Sequence, residues 1–275
     1  MKRLFLLGLS VVVLAACALP TPPEPQRAEV TYLGNEGIMV SDGETKLLFD
    51  PLYPRGFGVY QMVPDDILAA IMAGTPPFDH VDAIFFSHMH PDHFSVEDAI
   101  AYLEAHPETR LYAPEQAIEW MREETEPENA IFAQVTGIAL ERLETPVTIS
   151  FDGIDIDAVR IPHSGWPGRA DISNLVFRVT LRDGATVMHM GDADARDEHY
   201  AAHADHWTAK RTDAAFPPYW FFHTEDGNTI LQTRINTEQS IGIHVPIEVP
   251  EELVASGADY LSVPGETREL DKSGK

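Results

Sequence analysis

The most informative stretch of this sequence is Ser87-His88-Met89-His90-Pro91-Asp92-His93. It follows residues 81–86, an apolar run typical of a buried strand. Residues i and i+2 of an extended segment point the same way, so His88 and His90 can hold one cation. A His-x-His-x-Asp-His pattern arises by chance in on the order of one in a thousand such chains. The spacing therefore predicts a metal site.

The second half of the motif predicts a second cation. A turn at Pro91 directs Asp92 and His93 away from the first pair of histidines. Imidazole and carboxylate together suit zinc, and also manganese or iron, so the spacing alone leaves the metal open. Because histidine must be neutral to ligate a metal, we expect binding to weaken at acid pH.

With this motif, the chain resembles the metallo-β-lactamase superfamily of metallohydrolases, from about residue 29 to residue 246. The resemblance implies an α/β fold, a four-layer αββα sandwich of two mixed β-sheets flanked by helices. It also implies three later ligands, each after a strand. His163 matches the third histidine of the first metal, Asp192 the carboxylate that bridges both metals, and His244 the last histidine of the second metal.

The resemblance further implies two divalent cations, with zinc favoured and manganese or iron as alternatives. The expected reaction is hydrolysis of an ester, lactone or related bond by a metal-bound hydroxide, with Asp92 and Asp192 as catalytic residues. One alternative is a phosphodiesterase of the phospholipase D-like kind that acts on membrane-derived substrates. Another is a non-catalytic metal-binding lipoprotein of the cell envelope.

Two further segments, 32–37 and 47–51, resemble the branch of this superfamily that includes ascorbate-6-phosphate lactonase. There Asp50 would lie near the metals, behind the ligands or beside the substrate. Asn35 departs from the branch, which often has a histidine after the glycine. Zinc β-lactamases use a cysteine near Asp192, and this chain has none there, so β-lactamase activity is not expected.

Two segments contain candidate residues for contact with the substrate. The loop 51–64 could cover the metals, with Arg55 meeting an anionic group, or could be an irregular surface connection. Tyr219 and Trp220 belong to an aromatic cluster for which core packing is favoured over a wall of the substrate pocket. Residues 199, 203 and 206 are histidines with helical spacing, for which a solvated helix face is favoured over an extra metal site.

The N-terminus predicts export and anchoring. Residues 1–16 form a lipoprotein signal peptide, with a basic start and an apolar run. Residues 14–17, Leu-Ala-Ala-Cys, resemble the bacterial lipobox, so Cys17 is the predicted lipidation site in a Pro-rich tether, 17–28. The alternative is an ordinary secretory signal in which the cysteine is coincidental. The hydrolase domain follows at 29–269, with a frayed tail at 270–275. The expected location is the cell envelope, at the outer membrane facing the periplasm.

Composition and net charge limit the kinds of partner that the protein is expected to bind. The 275 residues are 44% hydrophobic and 23% charged, which excludes disorder. A formal net charge of −25 disfavours nucleic acid as a partner. A small-molecule substrate and the membrane, through the lipid anchor, are the expected partners, and the oligomeric state is open.

Apolar periodicity predicts a strand meander at the start, helices in the middle and a second block of strands. The predicted strands are 29–33, 38–40, 46–49, 81–86, 147–151, 154–161, 175–181, 186–190, 241–244 and 260–263. The predicted helices are 65–72, 96–106 and 115–124.

Overall fold

A computed structural model of the chain describes residues 27–126 and 128–270. The predicted signal peptide, Cys17, the tether up to residue 26 and the tail from residue 271 lie outside the described residues. Within the described part of the chain, no helix is both long enough and apolar enough to cross a membrane.

Two sheets of seven strands each form the centre of the described chain. The first sheet contains β1 (Glu29–Gly34), β2 (Gly37–Ser41), β3 (Lys46–Phe49), β4 (Ala83–Phe85), β5 (Arg110–Pro114), β6 (Val135–Ile138) and β14 (Thr267–Glu269). The second sheet contains β7 (Val147–Phe151), β8 (Ile154–Arg160), β9 (Leu175–Thr180), β10 (Thr186–His189), β11 (Thr212–Phe216), β12 (Thr237–Gly242) and β13 (Asp259–Tyr260).

Both sheets are mixed. The first has the order β14-β1-β2-β3-β4-β5-β6, in which β14 to β3 are antiparallel and β3 to β6 are parallel. The second has the order β13-β12-β11-β10-β9-β8-β7, parallel from β13 to β10 and antiparallel from β10 to β7. The predicted opening meander is therefore confirmed.

The two sheets pack face to face. Alternate residues of a strand point to opposite faces, and in β3 Leu47 and Phe49 face the inner core while Leu48 faces the outer helices. Across the inner core Phe85 of β4 contacts Phe177 of β9, with ring centroids 5.2 Å apart. The central strands of both sheets, such as β3, β4, β9 and β10, are buried on both faces, which requires helices outside.

The described residues contain seven α-helices: α1 (Asp65–Ala73), α2 (Val96–Ala105), α3 (Glu115–Glu123), α4 (Asp197–Ala201), α5 (Ala204–Ala209), α6 (Glu225–Thr229) and α7 (Glu251–Ser256). Residues of α2 and α3 pack on the first sheet, and Tyr200 and Trp207 pack on the second. The Ser95 hydroxyl caps the start of α2, where it accepts a hydrogen bond from the Asp98 N–H. The four-layer αββα sandwich is confirmed.

The expected solvated histidine face is wrong. His199 and His203 are buried, because the helix is interrupted between α4 and α5 and both of these helices pack against the second sheet. His206 is half-buried and its Nε2 lies 3.1 Å from Arg178. The three histidines therefore form neither one helix face nor one metal site.

Candidate metal centre

The candidate ligands lie just beyond the ends of four strands. The His motif follows β4, His163 follows β8, Asp192 follows β10 and His244 follows β12. In the second sheet β8, β10 and β12 run the same way, so their carboxyl ends meet at one edge, where open α/β sheets bind ligands. His163 also forms a bridge with Ala193, which joins two of these loops directly.

The first group of donors is His88, His90, His163 and Asp192, whose ligand atoms all lie within 4.8 Å of one another. His90 Nδ1 is 3.0 Å from His88 Nε2 and 3.1 Å from His163 Nε2. His163 Nε2 is 3.1 Å from Asp192 Oδ2. Nitrogen ligands at about 2.0–2.1 Å from one zinc ion face each other at similar separations.

The second group of donors is Asp92, His93 and His244. The Nε2 atoms of His93 and His244 lie 3.8 and 4.0 Å from Asp92 Oδ2. The same two nitrogens lie 3.4 and 2.9 Å from Asp192 Oδ1. Asp192 therefore directs one carboxylate oxygen to each group, as a bridging ligand does.

Several donor atoms of this centre are buried without a hydrogen-bond partner, among them Asp192 Oδ1, His93 Nε2 and His244 Nε2. Orphaned buried polar atoms are rare in proteins and costly, and they converge here on one point. The donor set, imidazole nitrogens plus carboxylate oxygens, is the one that zinc, manganese and iron accept. The residues present therefore fit divalent cations.

The protonation of the centre follows from burial and charge. Burial lowers the pKa of His88, which keeps its imidazole neutral and able to ligate. Burial also lowers the pKa of His90, to about 4. For His93 the lowering by burial is outweighed by Asp192, Asp50 and Glu36, which raise its pKa to about 10. Without a cation, a proton on His93 therefore supplies the positive charge that the carboxylates require.

Asp50 lies directly behind the ligands, as expected. Its Oδ1 accepts the Ser87 N–H at 2.7 Å, and its Oδ2 accepts the Ser87 hydroxyl at 2.5 Å. Oδ2 also lies 2.9 Å from His93 Nδ1. The opposite ring nitrogen of His93 is left facing the centre, which is the usual way that an outer carboxylate orients a metal ligand.

Two residues that the sequence interpretation did not assign complete the floor of the site. Asn35 donates its side-chain N–H to the Asp92 carbonyl at 2.9 Å, and its own carbonyl accepts the His244 N–H at 3.0 Å. Glu36 is fully buried, both carboxylate oxygens lack a hydrogen-bond partner, and one lies 3.8 Å from His93 Nδ1. Burial raises the pKa of Glu36 well above its usual value. The only sequence signal was an acidic residue inside the apolar β1–β2 hairpin.

The predicted substrate-side residues fall at different depths. The Arg55 N–H donates to the Pro91 carbonyl, and the Arg55 side chain is exposed. Trp220 packs its ring 5.2 Å from the His244 ring and donates its Nε1–H to the Ala193 carbonyl. Tyr219 stacks edge-on against Trp220 at 5.6 Å and is half-buried.

Comparison with known proteins agrees with this arrangement. Residues 29–216 match a family model described as a beta-lactamase superfamily domain. The metallo-beta-lactamase fold protein YhfI from Bacillus subtilis is 17% identical, with a TM-score of 0.57 over 89% of this chain and 99% of that chain. Igni18, a metallo hydrolase from Ignicoccus hospitalis, is 15% identical, with a TM-score of 0.59 over 90% and 99%.

A third similar structure is the isothiocyanate hydrolase from Delia radicum gut bacteria, which is 16% identical, with a TM-score of 0.57 over 88% of this chain and 99% of that chain. At such identities the likeness establishes the fold alone. A search of curated protein sequences finds no match.

Proposed function

Because the chain belongs to the beta-lactamase superfamily, we propose that it is a metal-dependent hydrolase with a dinuclear centre that cleaves an ester, a lactone or a related bond. The observation that carries the proposal is the position of Asp192. Its Oδ2 faces His163 at 3.1 Å and its Oδ1 faces His244 at 2.9 Å. A single carboxylate between two donor groups supports two cations rather than one.

The ligand assignment follows the two groups. His88, His90 and His163 would hold the first cation, and Asp92, His93 and His244 the second, with Asp192 shared. When bound, the cations lower the pKa of a coordinated water toward about 7 and polarise the scissile carbonyl. Three imidazoles on the first cation favour zinc, with manganese or iron as alternatives.

Charge balance supports the same number of cations. Four acidic side chains are buried at the centre: Glu36, Asp50, Asp92 and Asp192. Buried carboxylates require compensating positive charge, and because burial raises the pKa of Glu36, that requirement falls on Asp50, Asp92 and Asp192. Their formal charge of −3 is more than one divalent cation supplies.

Asp92 is the residue placed to move a proton. Asp92 and Asp192 are 8% and 7% exposed, whereas His88, His93 and His163 are fully buried, so both carboxylates lie on the solvent side of the centre. Both oxygens of Asp192 face the donor groups, whereas the donor-group distances of Asp92 involve Oδ2 alone. Asp92 would accept the proton of the attacking water on the carboxylate oxygen other than Oδ2 and return it to the leaving group. The Ser87 hydroxyl is not free to attack, because it is buried and donates to Asp50.

The reaction class rests on chemistry beyond the fold. The net charge of −25 disfavours an anionic substrate, and therefore a phosphodiester, relative to a neutral ester or lactone. The phosphodiesterase alternative would show cleavage of a bis-phosphodiester reporter in place of lactones. The non-catalytic alternative would show bound metal with neither activity.

The test is the variant Asp92→Ala, with Asp205→Ala as the matched control. Asp205 is exposed on α5, in the helix layer outside the second sheet. Metal-loaded protein is assayed on a panel of lactones, esters and phosphodiesters. We expect Asp92→Ala to stay folded and lose about 100-fold or more of the hydrolytic rate, as general acid–base groups contribute 100- to 10,000-fold. Full activity in Asp92→Ala would refute the assignment.

We further propose, from the sequence alone, that Cys17 carries a lipid anchor which tethers the domain to the envelope. Labelled palmitate should enter the chain in cells and disappear on Cys17→Ser. Incorporation that persists in this variant would contradict the anchor.

A further inference from the structure

The loop from Pro54 to Met62 is held against the metal centre at two points. The Arg55 N–H donates to the Pro91 carbonyl, inside the His motif, at 3.2 Å. The Tyr60 ring meets the His244 ring edge-on, with centroids 4.1 Å apart. The chain between these points therefore lies at the mouth of the site.

A second segment joins this loop. Tyr60 forms an antiparallel bridge with Pro246, and the Ile247 N–H donates to the Val59 carbonyl at 2.8 Å. Residues 246 and 247 follow His244 directly. The loop and this segment thus form one continuous surface beside the second group of ligands.

This surface is apolar and exposed. Phe57, Val59, Met62 and Ile247, here called the apolar rim, are 58%, 46%, 42% and 50% exposed. They are four of the eight large hydrophobic side chains that are exposed in the described chain. Residues 56–64 contain no charged side chain, although 23% of the chain is charged. Exposed apolar side chains gathered in one place mark a binding surface.

The backbone conformation of Phe57 is a second indication that this surface binds a ligand. Its φ of 52° lies in the left-handed region, which disfavours bulky side chains. A glycine would relieve both the backbone strain and the exposed ring. Strain of this kind is typical of ligand clamps and active sites.

We infer that the apolar rim binds a linear acyl or alkyl chain of the substrate while the bond next to that chain is cleaved at the metal centre. This inference rests on the proposed hydrolase function and names its substrate class. A neutral chain suits the rim better than an anionic lipid surface does. Asp65, Asp66 and Glu248 are exposed on the segments beside the rim. They outnumber the one exposed cation of the loop, Arg55, and the protein carries a net charge of −25.

The test is a series of p-nitrophenyl esters from acetate to decanoate, kept below their critical micelle concentrations, with the purified metal-loaded protein. Burial of each methylene on the rim should raise kcat/KM about two- to fourfold. Phe57→Ser and Ile247→Ser should flatten this dependence. The control Trp120→Ser, which removes an exposed aromatic ring from α3, should keep it. Metal content is measured on every variant.

A flat series in the unaltered protein, or an unchanged slope in both rim variants, would overturn the inference while the hydrolase proposal stands. If no ester is cleaved, the hydrolase proposal fails for esters, and the rim is tested by titration with decanoyl and acetyl amides. Chain-dependent binding that Phe57→Ser abolishes would support the rim, and chain-independent binding would overturn it. Sedimentation with zwitterionic and anionic vesicles is the further arm. Vesicle binding lost in the rim variants, with the ester slope unchanged, would reassign the rim to a membrane.

Discussion

Replacing Asp50 by asparagine tests how the centre keeps its histidines ready to ligate. The Asp50 carboxylate only accepts hydrogen bonds, so His93 donates from Nδ1 and the Ser87 hydroxyl donates as well. Because the Ser87 proton is committed to Asp50, Ser87 Oγ accepts from His88 Nδ1, 3.0 Å away. Asp50 thereby leaves the Nε2 lone pair of His88 free for metal. On His93 it holds a proton on Nδ1, so Nε2 is the nitrogen from which a cation displaces the second proton.

In Asp50→Asn the amide oxygen keeps the bond from the Ser87 N–H, which fixes the orientation of the amide. The NH2 group then replaces Oδ2 and donates to His93 Nδ1 and to the Ser87 hydroxyl. That hydroxyl must donate to His88 Nδ1 instead. Both histidines move their proton to Nε2, the nitrogen that should bind metal.

The expected loss is 10- to 100-fold in affinity for each cation, the range for changes to groups that orient metal ligands. Asp50→Ala removes the acceptor without imposing the wrong tautomer, so it should lose less metal than Asp50→Asn. Alanine leaves the buried Ser87 N–H unpaired, at a cost of about 1–3 kcal/mol in unfolding free energy. Asparagine should therefore be worse for metal binding and alanine worse for stability.

The assay is competition titration of metal against a chromophoric chelator, together with urea unfolding of the metal-free proteins. Asp205→Asn is the exposed control and should match the unaltered protein. Metal binding in Asp50→Asn as tight as in the unaltered protein, or weaker binding in Asp50→Ala than in Asp50→Asn, would refute the tautomer argument.

Three further outcomes are expected. Phe177→Ala, in the core between the sheets, should cost about 3–5 kcal/mol in urea unfolding, and a loss under 1 kcal/mol would contradict the packing. Burial and nearby Arg178 lower the pKa of His206 to about 4, below its unfolded value of about 6.5. Neutral His206 therefore makes its full contribution to the stability of the folded state above about pH 6.5, and this contribution is lost as the pH falls toward 4. The variant His206→Gln should show a smaller drop in the urea midpoint between these two pH values. Removing metal with a chelator should lower the melting temperature, because metal at 100-fold above its Kd stabilises the folded state by about 2.7 kcal/mol. An unchanged melting temperature would argue against bound metal.

The sequence predicted the parts of the fold in which short-range pattern and burial coincide. The hairpin strands β1 to β3 have apolar runs separated by turn residues, and the structure has them within a residue or two of the predicted bounds. The His motif is likewise local, so its spacing could be read without the fold.

The strands β5, β6, β11 and β14 were missed because little in their local sequence marks them. β11 reads Thr-Asp-Ala-Ala-Phe, in which the three central residues have low strand propensity, and it is extended because it pairs in parallel with β10 and β12. The predicted strand 241–244 overlaps β12, which ends at Gly242 instead. His244 has a φ of 57° and donates its N–H to Asn35, outside the strand ladder.

The candidate site likewise has residues that the local sequence predicts and residues that only the fold brings into place. Side chains at strand ends could be matched to a known order of ligands, but Glu36 and Asn35 could not be found by spacing. Their importance comes from a hairpin that passes beneath Asp92 and His244, which are distant in sequence. For the aromatic segment 219–222, periodicity could not predict which way each side chain points. Phe221 is buried in the core, while Trp220 turns toward His244.

The most direct test of the proposed dinuclear centre is the number of metal ions bound per chain, measured by elemental analysis on protein purified without a histidine tag. The account predicts about two equivalents of zinc, manganese or iron, falling to one or fewer in Asp192→Ala because both donor groups lose their shared ligand. A content near zero after reconstitution with each metal, or two full equivalents retained in Asp192→Ala, would contradict it.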